Sequence, residues 1–490
     1  MTSIKMPVPN SAILDNAQEI INRLTQSLPK DTIISDSSET LAYACDALVA
    51  YQCSPLAVAL PRTTQEVATI MKICFELGVP VVPRGSGTSL AGGALPTADS
   101  IILGTARLND ILEINIKNRF IKVQSGITNL AVSAAVEKDN FFYAPDPSSQ
   151  LACAIAGNIA MNSGGAHCLK YGVTTNNLMG VKMVLADGEI VEIGGAHLDA
   201  SNYDLLGIVC GSEGQLGIVT EATLKILPKP EGARPVLIGY DSPETAGTFV
   251  ADIIKAGILP VAIEYMDRLT IRATDKFSGA GYPDVEALII VEVEGSSAEI
   301  DEQLEKITDI AKKLQPSALR QSTSDEESAL IWKGRKSAFG AVGRIADYIC
   351  LDGTVPVSQL ANVLKKIGDL SKASGLQVAN VFHAGDGNMH PLILYNANDK
   401  KELAIAEQLG ADILTACVEA GGCLTGEHGV GIEKRDLMGS QYSNVDMEIQ
   451  MSVKDCFDPD WLLNPAKVFP LELSEKRRAK LGQSKLGTSS

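Results

Sequence analysis

Five histidines occur in the chain, at positions 167, 197, 383, 390 and 428, and three of them fall in two unusual segments. The first runs Val381-Phe382-His383-Ala384-Gly385-Asp386-Gly387-Asn388-Met389-His390, an apolar stretch feeding a glycine turn with an imidazole at each end. The second is Thr425-Gly426-Glu427-His428-Gly429-Val430-Gly431, a carboxylate and an imidazole side by side between glycines. Two histidines and one carboxylate, with coordination positions left open, suit a catalytic divalent cation such as zinc, manganese or iron. His383, His390 and Glu427 are therefore expected as ligands. His428 is then available as a base, and His167 and His197 are read as ordinary structural residues. A metallohydrolase would use the same groups to activate water.

Glycine-rich stretches supply a second chemistry. Arg84-Gly85-Ser86-Gly87-Thr88-Ser89 follows an apolar segment at 79–82, and its glycines can take positive φ while amides and hydroxyls approach an anion. It is neither a dinucleotide fingerprint nor a P-loop, since position 90 is leucine and no Gly-Lys-Ser/Thr follows. A second stretch, Gly157-Asn158-Ile159-Ala160-Met161-Asn162-Ser163-Gly164-Gly165, comes after Pro145-Asp146-Pro147-Ser148-Ser149. The third is Gly211-Ser212-Glu213-Gly214-Gln215-Leu216-Gly217-Ile218. Three such loops in one region point to a large phosphorylated cofactor, which a hydrolase leaves unexplained.

In order and spacing these three stretches resemble the FAD-binding domain of the p-cresol methylhydroxylase and vanillyl-alcohol oxidase type. The resemblance implies that Arg84, Gly85, Ser86, Gly87, Thr88 and Ser89 hold the pyrophosphate. It sets Pro145, Asp146, Ser149, Gly157, Asn158, Asn162, Gly164 and Gly165 near the isoalloxazine or ribityl. Glu213 and Gly214 belong to the third loop, and Ile218 would meet adenine or ribose. Some relatives attach flavin through a histidine in the first loop; none stands here, so dissociable, non-covalent FAD is expected.

The later segments resemble the C-terminal domain of FAD-linked oxidases, the family that includes glycolate, D-lactate and D-2-hydroxyglutarate dehydrogenases. Trp332-Lys333-Gly334-Arg335-Lys336, Asp352-Gly353-Thr354-Val355-Pro356 and Asn464-Pro465-Ala466-Lys467 carry that likeness. Coverage runs from about residue 40 to 470. It implies oxidation of a small D-2-hydroxy acid, with Arg335 gripping the substrate carboxylate as a fork, Asn388 and His428 at the substrate, and Asn464 at the cofactor. Val357 and Leu392 replace polar residues of some relatives, which favours a short monocarboxylate such as glycolate or D-lactate over 2-hydroxyglutarate. A silent electron-transfer flavoprotein is the rival from another class, and it would leave the histidines idle.

The elements that must position these groups follow from periodicity. Thr63 and Glu66 form a capping-box pattern ahead of a helix through Leu77, which Gly78 should stop. Asp187-Gly188 marks a hairpin. Pro228-Lys229-Pro230 is the best boundary, after which strands near 236–239, 287–293 and 378–382 alternate with helices near 244–256, 298–314, 357–373 and 401–420. The fold class is α+β: an FAD-binding domain over 39–229 after a helical segment (1–38), then a ferredoxin-like mixed-sheet domain over 230–470 closing in a helical segment. Residues 471–490, basic and rich in small polar side chains, read as a flexible tail.

Composition sets outer limits. With 42 Lys and Arg against 59 Asp and Glu, the net charge of −17 opposes binding to nucleic acid. No stretch approaches ~18 consecutive apolar residues, so no membrane span is expected. Ten cysteines form no C-x-x-C pair and read as free thiols of a reducing compartment. The expected location is cytoplasmic, or peripheral at a membrane through a partner. The family resemblance further implies that reduced flavin would pass electrons to an iron–sulfur, quinone or cytochrome acceptor on another molecule; the oligomeric state stays open.

Overall fold

A computed structural model describes residues 4–197 and 203–487. Its chain forms two compact units, each discontinuous in sequence. One comprises Gly164–Gly172 and Lys229–Gly426; the other comprises Ile4–Ser163, Val173–Pro228 and Glu427 onward. Glu427 is thus the first residue after the chain leaves the former unit.

In the unit that begins at Ile4, the helix Thr64–Leu77 starts and stops where the sequence indicates. Thr63 accepts a hydrogen bond from the Glu66 amide, and Gly78 ends the helix at φ 65°. Val67, Ile70, Met71 and Cys74 fall on one face and pack with Ile20, Leu24, Val81, Ile101 and Leu103. The helix joins Ala57–Ala59 to Val81–Arg84; both strands lie parallel to Ile101–Gly104 between them, while Ile33–Ile34 adds an antiparallel edge. A second, antiparallel sheet runs Ile111–Asn115, Phe120–Gln124, Ile218–Lys225, Leu178–Val184, Ile190–Gly194. Its last two strands flank Asp187-Gly188, as the hairpin signal predicts. The helical segment expected within 1–38 contains two helices, Ser11–Asp15 and Ala17–Ser27, separated at Asn16.

Residues 471–487 are helical, which corrects the reading of a flexible tail; 488–490 lie outside the described residues. Lys, Arg, Glu and Leu are good helix formers. Glu472 and Lys476 pair at i,i+4, and Arg477 binds Asp455 and Glu448 on the helix Asn444–Phe457.

The other unit is built on seven strands in the order Ala318–Gln321, Gly232–Tyr240, Ala287–Gly295, Ala262–Asp267, Val378–His383, Pro391–Tyr395, Asp347–Cys350. Numbered along the chain, the first four of these are in the order 4-1-3-2, with a helix after the first and third, which is the ferredoxin-like arrangement. Such a split crossover places an oppositely directed strand between two parallel ones. Every described pairing here is accordingly antiparallel, and the parallel pairs that make the fold mixed lie in the four-stranded sheet of the other unit. The helices Pro243–Lys255, Ser297–Lys313 and Asp325–Val342 start at Ser242, Ser296 and Ser324, whose hydroxyls accept amide hydrogen bonds. Ala287–Gly295 is buried along nearly its whole length, including Glu292 and Glu294. Carboxylates at such depth need partners, and these lead to the site.

Candidate functional site

Three glycine stretches converge within the unit that begins at Ile4. The strand Val81–Arg84 delivers the first, and Gly85 lies against the second: a side chain on Gly85 would come within 3.3 Å of Ala154 Cβ and 3.4 Å of the Gly157 amide nitrogen. The third is tied to the second by backbone, Gly211 N–H to Ile159 O (2.8 Å) and Glu213 N–H to Ala160 O (2.7 Å). Gly214 sits against Pro83 at φ 70°, where any side chain would collide with the proline ring. Ser89 Oγ accepts from the amides of Ala91 (3.3 Å) and Gly93 (3.1 Å), holding the first loop in shape. Ser86, Gly87 and Thr88 remain partly or fully exposed at its tip.

Asn464 closes this arrangement. Its Nδ2 donates to Gly93 O (3.0 Å) and Glu213 O (2.7 Å), joining the first and third stretches. Its Oδ1 is buried without a partner. An orphaned acceptor at the junction of three glycine loops fits a ligand that brings a donor, as a flavin nucleotide does. Nearby, burial pushes the Lys467 ammonium down to about 7, although Nζ donates to Leu95 O (2.5 Å) and Pro465 O (3.0 Å).

Several residues expected at the cofactor also hold the scaffold together. Ile218 is buried in the hydrophobic core with Val184, because it opens a strand paired to that residue; its side chain is committed to packing. Asn158 turns inward, its Oδ1 accepting from Asn129 Nδ2 (3.1 Å), while the same Nδ2 donates to Pro145 O (3.0 Å) and so fixes that loop. The Ser149 carbonyl accepts from the Cys153 amide (2.8 Å). Arg84 Nη1 donates to Cys45 O (2.8 Å) and its guanidinium lies over the Tyr43 ring, 5.6 Å from the centroid. Asn162 takes the left-handed conformation (φ 51°) and accepts from the Thr175 amide (2.9 Å). Glu213 accepts from Val430 N–H (2.6 Å) and Gly431 N–H (2.8 Å), anchoring the loop that carries Glu427 and His428, both partly exposed. Asp146 is half-buried, and Gly164 and Gly165 belong to the other unit.

In the ferredoxin-like unit the histidine turn is built by register. His383 ends the strand Val378–His383 and pairs back to Asn388 across a turn whose Gly387 takes φ 76°, where a side chain would strike the Val355 carbonyl. The two imidazoles lie edge to face, centroids 5.3 Å apart. His383 Nδ1 is 2.7 Å from Glu264 Oε1 and His390 Nδ1 is 3.2 Å from Leu351 O. An acceptor at each Nδ1 favours the tautomer with the proton there and the lone pair on Nε2, the form a metal ligand requires. Each ring thus offers a nitrogen of the kind a divalent cation takes, although among the described residues the groups close enough to share one ion include His390 and not His383. Asn388 Oδ1 is buried and unpartnered, and its amide group packs against Gly426, where a side chain would clash.

Arg335 lies on the helix Asp325–Val342 and is only 3% exposed. Its Nε donates to Glu264 Oε2 (2.8 Å), and Nη2 stands 2.5 Å from the same oxygen but is poorly angled for a hydrogen bond. Burial alone would raise the pKa of Glu264; Arg335 and His383 hold it below its usual value, so the carboxylate stays ionised.

Two acids escaped sequence reasoning. Glu264, in the apolar run Val261-Ala262-Ile263-Glu264-Tyr265, is fully buried opposite His383. Asp352 is fully buried 3.8 Å from His390 Nδ1, and accepts from the Thr425 hydroxyl and the Gly426 amide (2.9 Å), immediately before Glu427. His167, read as structural, contacts Glu292 at 3.4 Å, and Trp332 Nε1 donates to Glu292 (2.6 Å). Glu292 and Glu264 face the same side of the sheet, since Glu264 pairs with Ile290.

Comparison with known proteins agrees with both halves of this description. The model for FAD linked oxidases, C-terminal domain, matches residues 229–468, and that for an FAD binding domain matches 55–194. The glycolate oxidase subunit GlcD of Escherichia coli (strain K12) is 48% identical over 453 residues, 92% of this chain and 91% of the relative. The subunit of the same name from Bacillus subtilis is 38% identical (92% and 97%), and a D-lactate dehydrogenase of Anaerostipes hadrus 31% (92% and 97%). Among solved structures, p-cresol methylhydroxylase with substrate bound superposes with a TM-score of 0.79 at 16% identity, covering 95% of this chain and 98% of its own. The corresponding values for 4-ethylphenol oxidase from Gulosibacter chungangensis are 0.78, 18%, 95% and 99%. These last two show the fold alone. On cradle, sheet order and sequence together, the chain belongs to the FAD-linked oxidase family.

Proposed function

We propose that the protein is a dehydrogenase of a short D-2-hydroxy acid, glycolate or D-lactate, that uses non-covalent FAD and a divalent cation. The observation that carries this reading is the buried group of His383, Glu264 and Arg335: an imidazole oriented as a ligand and a fixed guanidinium, joined by one carboxylate. The names of the related glycolate oxidase subunits and D-lactate dehydrogenase support the substrate class.

Bound FAD would accept the C2 hydride, and a cation held by His383, His390 and Glu427 would polarise the substrate hydroxyl. The chain's own residues do the rest. Arg335 receives the carboxylate through its guanidinium edge and fixes the direction of C2–H. An imidazole nitrogen of His428 takes the hydroxyl proton. Asn388 is expected beside the substrate, and its Oδ1 is buried without a donor. Leu392 is fully buried in its strand and offers nothing to a second carboxylate, which supports a monocarboxylate over 2-hydroxyglutarate. Electrons then leave to an iron–sulfur, quinone or cytochrome acceptor; the word subunit in the relatives' names supports a partner protein. Among the described residues no helix is long and apolar enough to cross a membrane.

Dye-linked turnover should appear with glycolate or D-lactate, vanish on chelation and return with zinc, manganese or iron(II). A folded, FAD-loaded protein inactive on both acids overturns the reading. Arg335→Lys keeps the charge but loses the fork, and should raise KM about 10- to 100-fold, the scale of one charge-assisted hydrogen bond. Unchanged kinetics would mean that the carboxylate is held elsewhere.

A further inference from the structure

Glu264 is joined to two functional groups at once. It stands on the strand Ala262–Asp267, directly opposite His383 in the antiparallel register, beneath the helix that carries Arg335. One carboxylate oxygen faces His383 Nδ1 at 2.7 Å, and the other receives Arg335 Nε at 2.8 Å. No part of Glu264 is exposed, and Arg335 and His383 are nearly as deep, so water cannot substitute for any of the three. Both neighbours are donors toward it. Only an ionised carboxylate can accept from both, since a carboxamide in its place would turn an N–H₂ group toward one of them.

The consequence concerns the opposite edge of each neighbour. Accepting from Nδ1 of His383 sets which ring nitrogen carries the lone pair and fixes the ring plane. Accepting from Nε of Arg335 fixes the plane of the guanidinium and so the direction of its remaining nitrogens. Resting on the function proposed above, we infer that Glu264 is a shared positioning residue, through which metal retention at His383 and carboxylate affinity at Arg335 depend on one side chain. Weakening this carboxylate should therefore damage both affinities in parallel, although it touches neither ligand.

The test uses FAD-loaded full-length protein and two binding constants. Zinc affinity is read by competition with a chromophoric chelator. Carboxylate affinity is read from the flavin spectrum with 2-hydroxyisobutyrate, which has the hydroxyl and carboxylate but no C2 hydrogen to transfer. Glu264→Gln should raise the zinc dissociation constant about 10- to 100-fold, the usual scale for losing a histidine's carboxylate partner, and should raise the 2-hydroxyisobutyrate constant by at least tenfold. In a His383→Ala background the same change should shift zinc affinity less than twofold, because its route to the metal has gone. The inference is overturned if either constant stays within twofold of wild type, or if the zinc effect persists undiminished without His383. Should Glu264→Gln fail to fold, Glu264→Asp keeps both acceptors at shorter reach; it must raise both constants together, and movement of only one also overturns the inference. If His383→Ala itself retains wild-type zinc affinity, the ligand assignment fails instead, which separates the two claims.

Discussion

Replacing His428 by alanine is expected to leave FAD content unchanged and metal content near wild type, while turnover with glycolate or D-lactate falls about 10²- to 10⁴-fold, the usual contribution of a positioned general base. The expectation rests on the division of labour among the imidazoles. His383 and His390 each have an acceptor at Nδ1, the arrangement of ligands. His428 follows Glu427 on a segment fixed by the bonds from Val430 and Gly431 to Glu213. Because Glu213 also belongs to the third glycine stretch, the segment's backbone is held independently of the imidazole. Removing the ring should therefore spare the scaffold. Steady-state rates on protein of verified flavin and metal content measure the effect; activity within threefold of wild type would place the base elsewhere.

His383→Ala is expected to act differently. Elemental analysis of purified protein should show metal lost, and activity should fall below detection without return when zinc, manganese or iron(II) is added back. Two effects combine. A ligand disappears, and Glu264 loses one of the two donors that compensate its buried charge. The melting temperature should drop as well, whereas FAD should remain, since the first and third glycine stretches are tied together by Asn464 and the third to the second by backbone hydrogen bonds. Unchanged metal content would remove His383 from the ligand set.

What could be read from sequence followed the range of the interactions. Local signals were explicit: Thr63 with Glu66 and Gly78 bound a helix, and Asp187-Gly188 turned a hairpin, because a cap or turn is specified within a few residues. The His383–His390 turn and the Glu427-His428 pair were visible because rare residue types stood between glycines. Glu264 was not. A lone glutamate in an apolar strand looks like a solvent-facing position, and only the pairing with His383, more than a hundred residues on, explains it. Asp352 beside a glycine looks like a surface turn, yet it is fully buried. Ile218 belongs to the third stretch, but its pairing with Val184 commits the side chain to the core. Residues 471–487 misled by composition, since the anchors for Arg477 lie on another helix. In each case the missing information was a long-range partner.

The central claim, that this flavoprotein oxidises a short hydroxy acid by passing its hydride to flavin, has one direct measurement. Under anaerobic conditions and without an added acceptor, stoichiometric glycolate or D-lactate should bleach the flavin absorbance near ~450 nm in one turnover, with formation of the 2-oxo acid. A flavin that stays oxidised with both acids, in metal-loaded protein that dithionite can still bleach, would contradict the account.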